Sequence, residues 1–74
     1  PETAASLTNL GTLYGSHREF GRAVHYLEHA LAIRERLLGP DHEDTAATMN
    51  DLATNYRETG DYEKAEPLFE KALD

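Results

Sequence analysis

The residues most able to do chemistry lie in one short run, HYLEH at 25–29. Its order, His25-x-x-Glu28-His29, matches the inverted zinc-peptidase signature, in which two imidazoles hold a metal and a carboxylate moves protons. Such a site also needs a third protein ligand, an open coordination position and a walled cleft. The chain has no cysteine, so a thiolate zinc site and a disulfide framework are both excluded. On a helix, His25 and His29 share a face, while Leu27, Ala30 and Leu31 point elsewhere, toward a core. The run therefore reads as the solvated side of a helix, with no metal ligand and no catalytic residue in it. Ser6 and Ser16 have no histidine and carboxylate spaced to activate them, and no phosphate-binding glycine loop or nucleophile elbow occurs. No enzyme activity and no cofactor are expected. His42 precedes Glu43-Asp44-Thr45 and reads as a helix-entry residue, while His17 has no evident role.

The elements that would carry these residues follow from an internal repeat. Shifting the chain by 42 positions sets Thr3, Ala4, Ala5, Leu10 and Tyr14 on Thr45, Ala46, Ala47, Leu52 and Tyr56. The same shift sets Ala23, Glu28, Ala30 and Leu31 on Ala65, Glu70, Ala72 and Leu73, with Phe20 on Tyr62 and Arg22 on Lys64. The retained residues are mostly apolar or small, which is the signature of shared packing. The counterparts of His25 and His29 are Pro67 and Lys71, neither a metal ligand.

Each unit contains two helical periods. Leu7, Leu10 and Tyr14 fall on one face, as do Phe20, Ala23, Leu27, Ala30 and Leu31. Gly39-Pro40 ends the second period, and Thr59-Gly60-Asp61 separates the third from the fourth. Helices are predicted near 2–16, 19–38, 44–58 and 61–73, in units spanning 1–42 and 43–74. No segment alternates with a period of two, so the fold class is all-α: antiparallel helix-turn-helix units stacked as an α-solenoid. Gly11 should face Ala23, and Ala53 should face Ala65, at the close approach of each helix pair. Tyr14 and Tyr56 are read as packing between units. Gly60 suits a left-handed cap and Asp61 a helix start; Arg18 replaces the glycine in the first unit, at a cost of about 1 kcal/mol. Glu19 is the poorer cap of the two. The turn at 15–19 should therefore be the looser one. Pro67 removes a backbone hydrogen bond, so a bend is expected. Because the chain opens on Pro1 and the second unit stops at Asp74, it is read as a piece of a longer array with its last helix truncated.

L-x-x-L-G-x-L-Y at 7–14, F-x-x-A at 20–23 and L-x-x-A-L at 27–31 resemble the tetratricopeptide repeat. So do M-x-x-L-A-x-x-Y at 49–56, G-D-Y-x-x-A at 60–65 and F-x-x-A-L at 69–73. The family's usual period is about 34 residues. The longer period here, with ALAIRERLLGPDH at 30–42, is similar to the variety found in kinesin light chains and related scaffold proteins. The resemblance implies a protein-interaction module, a scaffold or adaptor segment that binds a peptide or protein along the concave face of its first helices. Carried over by register, the groove candidates are Thr8, Thr12, Ser16, Asn50, Thr54 and Arg57, with Ala5, Gly15, Ala47 and Glu58 beside them. Arg57 alone is basic among these ten positions, so the acidic peptides taken by kinesin light chains are a poor fit. Asn9 and Asp51 stand where the family often has an asparagine that ties local backbone, and the same role is expected here. The alternative is a structural spacer or self-association segment, because the repeat ends should expose apolar surface.

Charge narrows the partners. Fourteen acidic and seven basic residues give a net charge of −7. That disfavours nucleic acid and anionic membrane surfaces, both of which call for clustered Lys and Arg. Residues 1–42 carry a net −1 and residues 43–74 a net −6, so the second unit bears most of the negative field. No apolar run is long enough to span a bilayer; a cytoplasmic location is the expectation, although the absence of cysteine leaves the compartment without a redox marker.

Overall fold

The computed structural model describes the backbone of residues 3–73 and the side chains of residues 3–72. Four helices follow one another: α1 (Ala4–Ser16), α2 (Phe20–Leu38), α3 (Glu43–Glu58) and α4 (Tyr62–Leu73). No strand occurs among the described residues. Glu2, where the first helix was expected to open, lies outside the described residues. Thr3 is the N-cap of α1, its hydroxyl oxygen accepting from the Ser6 N–H at 3.1 Å. α3 begins one residue earlier than its apolar period predicts, because His42 supplies the cap: Nδ1 accepts from the Asp44 N–H at 3.0 Å. Glu43 and Asp44 then sit in the first turn, where acids complement the positive helix end.

The two hairpin turns are built alike. In the first, Glu19 N–H bonds Tyr14 O at 2.8 Å and Arg18 N–H bonds Gly15 O at 3.0 Å. In the second, Asp61 N–H bonds Tyr56 O at 2.8 Å and Gly60 N–H bonds Arg57 O at 3.0 Å. Both turns place one residue in the left-handed region, Gly60 at φ 83° and Arg18 at φ 62°. The repeat thus imposes a glycine conformation on an arginine, as the alignment of the two units predicts. Glu19 makes no side-chain cap bond to α2. Asp61, expected to cap α4, makes no carboxylate cap bond among the described residues either. Its carbonyl accepts from Lys64 and Ala65, while its carboxylate lies 3.8 Å from the Lys64 ammonium. Arg22 and Glu19 form the equivalent pair at 3.8 Å; both pairs are solvated and contribute little.

α1 packs along α2, α3 along α4, and α2 against α3, while α1 and α3 touch only lightly. The Cα trace fills a slab of 30 × 29 × 13 Å. Gly11 is buried because α2 comes too close for any side chain: a Cβ there would lie 2.6 Å from Leu27 Cγ and 3.3 Å from Ala23 O. In the second hairpin Ala53 and Ala65 are both buried in one cluster with Leu52 and Tyr56. Leu27 of α2 completes that cluster, so the core runs across the boundary between units. Pro67 lies inside α4, which continues past it to Leu73.

The units are joined by polar contacts as well. Arg34 of α2 donates to Thr48 Oγ1 at 2.9 Å, and Thr48 donates to Asp44 O at 2.9 Å, which satisfies a fully buried threonine. The Tyr56 hydroxyl donates to Glu28 Oε2 at 3.0 Å. Tyr14 departs from the expectation of packing between units. It is half-buried and stacks on Tyr26 of its own hairpin, centroids 5.5 Å apart and planes 5° from parallel. Among the described residues, Tyr56 has the other hairpin to pack against and Tyr14 does not.

Candidate interaction cleft

His25 and His29 are both exposed on α2, and the His25 ring meets Tyr26 edge-on. Glu28 is occupied by Tyr56. Among the described residues no group of three His, Cys, Asp or Glu side chains is placed to hold a metal ion. The HYLEH run therefore presents one packing acceptor and two solvated rings.

The concave feature of interest lies between α1 and α3, a cleft of about 450 Å³. Thr12, Gly15 and Ser16 form its α1 wall; Asp51, Thr54, Asn55 and Glu58 form its α3 wall. Arg18 and Phe20 close the end at the hairpin turn, with the guanidinium 5.4 Å from the Phe20 ring centre. The walls meet where Gly15 faces Asn55: a Cβ on residue 15 would lie 2.9 Å from Asn55 Oδ1. The Asn55 amide is itself fixed by donating to Asp51 O at 2.8 Å.

Of the six residues singled out from the sequence, Thr12, Ser16 and Thr54 line this cleft. Thr8 precedes Thr12 by four residues and Asn50 precedes Thr54 by four, so both extend the same helix faces beyond it. Arg57 is turned away, its guanidinium 5.6 Å from the Phe69 ring of α4. Three of the four hydroxyls are already engaged as donors, and Thr12 Oγ1 makes no hydrogen bond among the described residues. Ser16 Oγ donates to Thr12 O at 3.0 Å, Thr54 Oγ1 to Asn50 O at 2.9 Å, and Thr8 Oγ1 to Ala4 O at 2.8 Å. What they offer a visitor is lone pairs.

The expectation for Asn9 and Asp51 needs correcting. Neither side chain ties local backbone among the described residues; Asn55 does this instead, one turn after Asp51. Asp51 lines the cleft with no hydrogen-bond or ion-pair partner among the described residues, and burial pushes its carboxyl above the usual range, Arg34 partly opposing the shift. Asp51, Asn55, Arg18 and Phe20 were missed because a register argument selects only the residues furthest from the partner helix. A signal existed in the alignment: Asn55 is polar where its counterpart Leu13 is apolar.

Two similar helix hairpins, stacked with a shared core and a shallow cleft between their first helices, define a helical-repeat protein of the solenoid class. The tetratricopeptide-repeat family model matches residues 2–74, and the chain belongs to that family. Members of this family are in general non-catalytic protein-interaction modules. No curated protein matched the chain. No helix among the described residues is long and apolar enough to cross a membrane.

Proposed function

We propose that this chain is a scaffold or adaptor segment that holds a peptide or protein partner along the exposed faces of α1 and α3. The observation that carries the reading is the cleft itself, whose two walls come from different repeat units and which no described side chain fills. Thr12, Ser16 and Thr54 are the contacts inside it, with Thr8 and Asn50 lengthening the track; Arg57 would contribute only by leaving Phe69. Affinity from one such cleft should be low, and neighbouring repeats would raise it by adding contacts on one continuous ligand. Photo-crosslinking tests the reading. A crosslinker at Ser16 or Glu58 should trap a cellular partner that the same group at Gly21 or Glu63, both exposed and outside the cleft, does not. Equal trapping at all four positions would overturn it.

A second reading, association through the repeat ends, is favoured by apolar side chains left in solvent. Leu13 is 53% exposed and Leu37 is 70% exposed. Leu13 is the repeat counterpart of Asn55, the residue that meets the preceding hairpin, so a preceding hairpin would cover it. Sedimentation at rising concentration checks this: a strict monomer throughout rules out self-association of the chain.

A further inference from the structure

We propose that the α1–α3 cleft receives a basic side chain, an arginine, carried by an extended segment of the partner. This rests on the reading of the cleft as the partner site and adds the partner's chemistry. The cleft is concave and its floor is rich in acceptors. The Asp51 and Glu58 carboxylates have no ion-pair or hydrogen-bond partner among the described residues; Arg18 lines the same cleft, and the Arg34 charge acts on Asp51 without pairing with it. Both cations make other contacts: Arg34 donates to Thr48 and Asp44 O, and Arg18 lies over the Phe20 ring at the end of the cleft. Ser16 and Thr54, on opposite walls, have already spent their hydroxyl protons on their own helices, so each can only accept.

A ligand group entering here meets two carboxylates, the lone pairs of Ser16 and Thr54, the Thr12 hydroxyl, which is unbonded among the described residues, and one rim cation. A carboxylate or phosphate would find too few donors. A guanidinium brings five N–H donors in a plane and a charge that both carboxylates lack a partner for. The half-buried position of Asp51 makes such a pair stronger than a solvated one, because water competes less. Long-range charge acts in the same direction, since residues 43–74 carry a net −6 and draw cations toward the second hairpin, α3 included.

The test is a titration of the whole chain, followed by amide chemical shifts, with a capped flexible peptide bearing one central arginine. The comparison peptide carries citrulline, which keeps the shape and loses the charge. The arginine peptide is expected to shift the amides of Gly15, Ser16, Thr54 and Asn55, and to bind at least about tenfold more tightly than the citrulline peptide. The double variant Asp51→Asn/Glu58→Gln should lose that preference, whereas Glu63→Gln/Glu66→Gln, which removes the same charge from α4, should keep it. Loss of the preference in both variants would show a general charge effect and overturn the proposal. Equal binding of the two peptides in the cleft would overturn the arginine assignment and leave the cleft standing as a partner site. No shift in the cleft with either peptide would overturn the proposal, and crosslinking at Ser16 and Glu58 would then decide separately on the partner site.

Discussion

Tyr14 and Tyr56 occupy one repeat position and meet different surroundings, which shows how neighbours set a residue's chemistry. Each ring is covered by the basic residue eight positions on, Arg22 at 5.6 Å and Lys64 at 5.5 Å. The alignment pairs these two bases, and the shared cation–ring contact explains why both are basic. Only Tyr56 is buried, and its hydroxyl is held by Glu28. Burial foremost, then the Glu28 bond and charge, pushes its ionisation up to about 12. An unfolded tyrosine ionises near about 10. Between these values the unfolded chain gives up the proton and the folded chain keeps it. The stabilisation is therefore complete below about pH 10 and disappears as pH rises through about 12. The wild type should lose stability more steeply than Tyr56→Phe across that window in denaturant titrations; parallel profiles would contradict the assignment. Thr45 gives a second expectation. It is fully buried and its hydroxyl has no partner among the described residues. Thr45→Val should raise stability by about 1 kcal/mol, read from the urea midpoint, because an unsatisfied hydroxyl is removed at nearly constant volume. The repeat made Tyr56 legible as a packing residue. It could not reveal Glu28 as the hydroxyl's acceptor, since that bond joins two units whose spacing is a tertiary fact.

At the scale of the element, helices and turns were readable because local signals and the repeat agree. Apolar spacing marked all four helices, and Gly60 marked the left-handed residue that Arg18 must imitate. Helix ends were less legible: His42 caps α3 through Nδ1, a role the sequence suggested only as helix entry, and the Asp61 carboxylate makes no cap bond to α4 among the described residues. A Cβ at Gly60 would meet nothing, so Gly60→Ala isolates the backbone strain and should cost about 1 kcal/mol in thermal or urea unfolding. Amide exchange should be faster across 15–19 than across 57–61, because Arg18 bears the left-handed strain that glycine avoids at position 60; slower exchange at 15–19 would contradict this. Gly11→Ala tests the close approach of α1 and α2. Helix propensity alone would favour alanine by about 1 kcal/mol. Contact with the buried Leu27 reverses the sign, and a net loss of roughly 1–3 kcal/mol is expected.

For the whole molecule, the decisive feature is that the core crosses from one hairpin to the next. Leu27 lies in a cluster otherwise made of α3 and α4 residues, and Arg34 and Glu28 reach α3 from α2. The hairpins should therefore unfold together. The cleft depends on the same stacking, since its walls belong to different units. Its polar face was legible in part: Thr12, Ser16 and Thr54 followed from register, whereas Asp51 and Asn55 required knowing how α3 is rotated against α1. Arg57 carries the same lesson from the other side, because a long side chain on an edge position turns to the nearest aromatic ring. The most direct test is the set of side-chain proton contacts in solution. Contacts should join Gly11 to the Leu27 methyl groups, Gly15 to the Asn55 amide and the Tyr56 ring to the residues around Leu27. If the first is seen and the other two are missing, the hairpins fold without stacking in this register, and the cleft and everything assigned to it would fall.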